Sequence, residues 1–104
     1  MIHITLICAG GLSTSMMVNK MKEAAKKKNI EVEINAMAST AFASYKKPTD
    51  VLLLGPQINY LYDEIVREYG AKGIKISVIN MMDYGMMNGE KVLDTALQLL
   101  DKSE

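Results

Sequence analysis

The chain has one cysteine, one histidine, one phenylalanine, no tryptophan and two prolines among its 104 residues. A single cysteine rules out an internal disulfide and fits a reducing compartment. One cysteine and one distant histidine leave no ligand set for a metal site. An excess of either charge is also missing, because twelve basic and twelve acidic side chains cancel. Proteins that grip nucleic-acid backbones carry a basic surplus, so nucleic acid is not an expected partner. No run reaches the length of about 20 apolar residues that crosses a bilayer. Direct membrane insertion is therefore excluded. The first residues lack the basic region, long apolar core and cleavage site of a signal peptide. These absences point to a cytoplasmic location, and no cofactor is expected.

What is present suits one compact domain over residues 1–104, with 49% hydrophobic residues supplying a single core. Residues 2–7 read as a buried strand. Met17, Met21 and Ala24 mark one face of a helix from about Thr14 to Lys28, with Asn29 as its C-cap. Lys26, Lys27 and Lys28 read as a solvated helix end. From Ile30 to Ala36 apolar and polar residues alternate, as in a strand at a sheet edge. A short helix is expected around Thr40–Ser44. Val51–Leu54 is a strongly buried strand stopped by Gly55-Pro56.

A helix from about Gln57 to Tyr69 places Ile58, Leu61, Tyr62, Ile65 and Tyr69 on one face, with Gly70 at its C′ position. Ile74–Ile79 forms a fourth strand, followed by a loop over Asn80–Gly85. Asn88 or Gly89 starts the last helix, with Val92, Leu93, Ala96, Leu97 and Leu100 inward. Strand–helix–strand units with short connections need right-handed crossovers. The expected fold is α/β: a four-stranded parallel sheet of order 2-1-3-4 with helices on both faces.

Cys8 ends the first strand and opens the loop Ala9-Gly10-Gly11-Leu12-Ser13-Thr14-Ser15 directly before a helix. Backbone N–H groups and the helix dipole attract anions at such an end, and the same potential favours a thiolate. The loop lacks the lysine of the Gly-x-x-x-x-Gly-Lys-[Ser/Thr] pattern, so it is not a nucleotide-binding loop. It is closer to the cysteine-phosphatase loop Cys-x5-Arg-[Ser/Thr], with Thr14 at the arginine position and Ser15 at the hydroxyl position. Loss of the arginine fork removes a clamp on the transferring group. A loop that accepts phosphate and hydrolyses it poorly suits a relay.

Cys8 is thus the candidate nucleophile. Ala9, Gly10, Gly11, Leu12, Ser13, Thr14 and Ser15 are the candidate phosphate-binding residues, through N–H groups and three hydroxyls. The hydroxyls equally serve as helix caps. Gln57, Asp83 and Tyr84 are candidates for the rim of the site, Asp83 as a leaving-group acid if the chemistry were hydrolytic and Tyr84 as a partner contact. His3 lies five positions before Cys8 on the same strand, about 16 Å away at about 3.3 Å per residue. It is expected to be structural. Of the nine methionines, the pairs Met16-Met17, Met81-Met82 and Met86-Met87 flank the expected rim, where they could help one face dock in turn against two different partners, but core filling is the simpler expectation for most of them.

The run Ile7-Cys8-Ala9-Gly10-Gly11-Leu12-Ser13-Thr14-Ser15, with Leu53-Leu54-Gly55-Pro56-Gln57-Ile58 and Asp83-Tyr84-Gly85, resembles the enzyme IIB component of the bacterial sugar phosphotransferase system (PTS). The lactose/cellobiose/chitobiose class is the most similar, and the likeness covers essentially the whole chain. The resemblance implies a phosphoryl carrier. Cys8 would take phosphate from a phosphohistidine of a IIA protein, become S-phosphocysteine, and pass the group to a sugar held by the membrane transporter IIC. That would place the chain in the cytoplasm, peripheral to the inner face of the membrane through IIC. Two other readings of the loop stay open: a low-molecular-weight cysteine phosphatase and a regulatory relative without chemistry.

Overall fold

In a computed structural model, the backbone is described for residues 1–8 and 12–101 and the side chains for residues 1–8 and 14–100. Four strands, β1 (Ile2–Ile7), β2 (Val32–Met37), β3 (Val51–Leu54) and β4 (Lys75–Val78), form one parallel sheet in the order β2-β1-β3-β4. The expected order is therefore the observed one. Ile4 of β1 sits opposite Ile34 of β2 and Val51 of β3, and Leu54 sits opposite Val78 of β4. All four residues of β3 are buried, as a central parallel strand covered on both faces requires.

Strand alternation divides the core in two. Ile4, Leu6, Val51 and Leu53 pack against α1 (Leu12–Lys27) and α5 (Gly89–Asp101), through Met17, Met21 and Ala24 of α1 and Val92, Leu93 and Ala96 of α5. Ile7, Leu52 and Leu54 face the opposite way, onto Phe42 of α2 (Ser39–Phe42) and Ile65 of α3 (Tyr62–Tyr69). The remaining α-helix, α4 (Met81–Gly85), follows β4. Thr5 is buried among the second set and meets Thr49 hydroxyl to hydroxyl at 2.9 Å.

Several local expectations change. The segment after Gly55 is not one helix from Gln57. It starts as a 3-10 turn over Pro56–Leu61, broken at Ile58 (φ −119°), and becomes α-helical only at Tyr62. Ile58 and Ile65 are both buried, while the tighter winding of the 3-10 turn carries Tyr62 outward. Gly70 is right-handed and leads into a second 3-10 turn over Gly70–Lys72. Gly73 takes the left-handed conformation (φ 86°) that ends it. Asn29 does adopt the left-handed conformation of a C-cap (φ 55°).

Lys28 is not simply solvated. Its Nζ lies 3.5 Å from Glu90 and 3.6 Å from Asp94, because the end of α1 lies beside α5. The expected loop over Asn80–Gly85 is the short helix α4, whose first turn is capped by Asn80: its Oδ1 accepts from Met82 N at 2.8 Å and Asp83 N at 3.1 Å.

The methionines also differ from expectation. Only Met17 and Met21 are fully buried, whereas Met16, Met81, Met82 and Met86 are exposed. Among the described residues no helix is long and apolar enough to cross a membrane.

Candidate functional site

All four strands are parallel, so their carboxyl ends share one edge of the sheet. The chain moves outward from β1 to β2 in one direction and from β3 to β4 in the other, which puts the reversal of winding between the neighbours β1 and β3. Ligands on open parallel sheets bind outside that point. Cys8 is the residue that follows β1 there. Its N–H donates to Met37 O at 3.2 Å, while Gly55 N donates to Ile7 O at 2.8 Å, so the ladders extend to the edge on both sides of the cysteine.

Cys8 follows Leu6 by two positions, and alternation turns its side chain toward the face that α1 covers. There its Sγ lies 2.8 Å from Thr14 Oγ1. Thr14 stands in the first turn of α1 and is 4% exposed, Cys8 6%. Thr14 Oγ1 is also 3.5 Å from the hydroxyl of Tyr84, a buried residue of α4. Three groups from three separate elements thus form a line from sulfur to phenol. The first turn of α1 contains no acidic side chain, so nothing on the helix opposes the positive end of its dipole.

Gly55 completes the floor. A Cβ at this position would lie 3.3 Å from Cys8 Cβ and 3.1 Å from Gln57 Oε1. Glycine lets the end of β3 pass close beside the cysteine, and the Gln57 amide folds back over the same spot. Gln57 is otherwise exposed. With Pro56, Met81, Tyr84 and Gly85 it lines a shallow, mainly apolar groove at the rim.

Of the residues singled out from sequence, Cys8, Thr14 and Tyr84 are brought into contact and Gln57 stands beside them. Ser15 is exposed on α1. Ala9, Gly10 and Gly11 lie outside the described residues, as do the side chains of Leu12 and Ser13. Asp83 is half-buried and borders a small pocket with Ile79, Val92 and Thr95, apart from the Cys8–Thr14–Tyr84 line. His3 is at the other edge of the sheet: Asp50 Oδ2 accepts from its backbone N–H at 2.8 Å and lies 3.4 Å from its Nδ1. It is a structural residue, as its distance from Cys8 in sequence requires.

Sequence reasoning overlooked the part played by Gly55 and the way Asn80 builds a helix that delivers Tyr84. Leu-Gly-Pro at a strand end signals the first. An asparagine directly before Met81 signals the second. Among the described residues, no three His, Cys, Asp or Glu side chains cluster as metal ligands would.

Comparison with known proteins gives a consistent picture. The family described as "PTS system, Lactose/Cellobiose specific IIB subunit" matches residues 3–95. The galactose-specific EIIB component of Lactococcus lactis subsp. cremoris (strain MG1363) is 41% identical over 104 residues, spanning 94% of this chain and 95% of that protein. The solution structure of the cellobiose-specific phosphotransferase IIB component protein from Borrelia burgdorferi is similar with a TM-score of 0.80 and 40% identity, over 99% of this chain and 94% of that one. The lactose-specific EIICB component of Staphylococcus haemolyticus (strain JCSC1435) is 24% identical over 102 residues, which are 96% of this chain and 18% of that protein. The chain belongs to the lactose/cellobiose-specific IIB subunits of the PTS, phosphotransferase components that work with IIA and IIC partners.

Proposed function

We propose that this chain is the phosphoryl carrier between a IIA protein and a sugar held by IIC, and that Cys8 is the atom-level carrier. The supporting observation is the placement of Cys8 at the sheet's reversal point, with the Thr14 hydroxyl 2.8 Å from its sulfur beneath the amino end of α1. In the first step the Cys8 thiolate attacks the phosphorus of a IIA phosphohistidine in line. The S–P bond forms, the P–N bond breaks, and the imidazole nitrogen keeps the electron pair. In the second step a sugar hydroxyl oxygen attacks the same phosphorus. Its proton leaves to solvent or a transporter base, the S–P bond breaks, and the thiolate returns.

The phosphoryl group brings a charge of about −1.5 to −2. Thr14 adds a hydroxyl, and the first four N–H groups of α1 have no partners inside the helix. Those of Leu12–Ser15, together with Ala9, Gly10 and Gly11, would hold the phosphoryl oxygens. Gln57 and Tyr84 bound the opening, and Asp83 has no part in the transfer. The sugar is an oligosaccharide of the cellobiose, chitobiose or lactose type. Support for that class comes from the family description, and the relatives named above are specific for galactose, cellobiose and lactose. The chain works at the cytoplasmic face of the membrane, docked on IIC. The Staphylococcus haemolyticus relative, an EIICB component, supports that proximity because it unites both parts in one protein.

The test is intact mass after incubation with phosphoenolpyruvate, the general phosphotransferase proteins and a IIA protein, alongside Cys8→Ser. One added phosphoryl group on the natural chain and none on the variant is the expected result. Steady release of inorganic phosphate would instead make the protein a phosphatase. An unmodified chain beside phosphorylated IIA would overturn the carrier reading.

A further inference from the structure

The line from sulfur to phenol does more than place Thr14. Tyr84 is 8% exposed, whereas Met81, Met82 and Met86 around it are all more than 70% exposed. The helix that carries Tyr84 is five residues long, started by the Asn80 cap and joined at its end by Asn88 N donating to Asp83 O at 2.9 Å. Its one side chain in the main core is therefore this phenol, and the phenol ends beside Thr14.

Proton counting fixes the direction of the contacts. A thiolate only accepts, and a threonine hydroxyl has one proton and two lone pairs. With Cys8 ionised, Thr14 donates to sulfur and its lone pairs are left for the Tyr84 hydroxyl. The order is then Tyr84 to Thr14 to Cys8, each donor polarising the next. We infer that Tyr84 is a positioning residue, which turns the Thr14 hydroxyl proton onto the sulfur of the attacking Cys8. Once sulfur is bonded to phosphorus it no longer carries the charge that this order serves. Thr14 is then free to donate to a phosphoryl oxygen. This deepens the carrier reading and rests on Cys8 being its nucleophile.

The distances rank the effects. The Thr14–sulfur contact is short at 2.8 Å and the Tyr84–Thr14 contact long at 3.5 Å. A hydrogen bond to a charged group contributes more than one between neutral groups. At one neutral pH, the alkylation of Cys8 by iodoacetamide and the rate of phosphoryl uptake from phosphorylated IIA are measured for Thr14→Val, Thr14→Ser, Tyr84→Phe and the Thr14→Val/Tyr84→Phe pair. Thr14→Val should slow both by about 30-fold and Tyr84→Phe by about threefold. Thr14→Ser should restore most of the loss. In the pair, Tyr84→Phe should add nothing to Thr14→Val, because its effect passes through that hydroxyl.

Tyr84→Phe keeps the ring and Thr14→Val the shape, and thermal unfolding of each variant confirms the fold. Natural alkylation and uptake rates in Tyr84→Phe, or additive losses in the pair, would overturn the inference and leave the carrier reading standing. The expected alkylation pattern with no phosphoryl adduct on the natural chain would support the relay while overturning the carrier.

Discussion

The two faces of the sheet are built to different standards. On one, α1 and α5 approach so closely that a Cβ on Gly89 would lie 2.5 Å from the backbone carbon of Lys20 and 2.7 Å from Met21 N. Met17, Met21, Leu93 and Ala96 there are fully buried. On the other face, α2 has four residues and α3 eight, and 3-10 turns flank α3 on both sides. A pocket of about 160 Å³ opens between them, lined by Ile7, Thr40, Leu61, Ile65 and Tyr69 among others. An aromatic group, Phe42 against Tyr69 edge-on at 4.9 Å and against Tyr45 at 5.9 Å, fills much of what remains.

Cys8 sits where the faces meet, yet the two side chains aligned on its sulfur, Thr14 and Tyr84, both belong to the closely packed one. The looser face contributes backbone and rim, through Gly55 and Gln57. Parts that must hold a nucleophile to within a few tenths of an ångström come from the layer that can hold them.

This contrast can be broken by substitution, and the largest effects belong to the tight face. Leu93→Ala removes a side chain with no exposure and should cost about 4 kcal/mol in urea unfolding, whereas Ile65→Ala beside the pocket should cost about 2 kcal/mol. Equal losses would remove the distinction between the faces. Gly89→Ala forces a methyl group against backbone rather than against a flexible chain end, and should cost about 3 kcal/mol. If Gly89→Ala unfolds at the natural urea concentration, the close helix contact is not a constraint on the fold.

The smallest effect lies on the loose face. Burial, and secondarily the neighbouring Glu68, raise the Tyr69 phenol above its ordinary 10.0. A raised value in the folded state means that the neutral phenol stabilises the fold below about pH 10, and that this contribution fades as the pH climbs through the folded value. Tyr69→Phe should therefore lose less stability than the natural chain as the pH rises above about 10. Parallel stability curves for the two proteins would show that Tyr69 ionises equally in both states.

Much of this arrangement was legible in sequence, for identifiable reasons. Val51–Leu54 has no polar residue, which only a central strand tolerates, and the alternation over Ile30–Ala36 marks an edge. Together they place β2 at an edge and β3 inside the sheet, as the order β2-β1-β3-β4 has them, and that order puts Cys8 beside Gly55. Tyr84 was harder to read. Five residues are too few for helical periodicity to register, and methionines on both sides disguise the one position that turns inward. Thr14 could be read either as a cap or as a phosphate ligand, because both use a hydroxyl in the first turn of a helix. Its contact with sulfur depends on the angle at which α1 leaves the sheet, which no local pattern encodes. Core filling is the simpler expectation for most methionines, whereas the start of α1, α4 and the residue just after α4 present four of them to solvent.

The most direct measurement follows the phosphoryl group onward from Cys8. The singly phosphorylated chain is isolated and divided between unphosphorylated IIA and membranes that contain IIC with a β-linked disaccharide. The account predicts that its mass returns to that of the unmodified chain in both, with the group recovered on the IIA histidine in one and on the sugar in the other. An adduct that persists in both, or that departs only as inorganic phosphate, would contradict it.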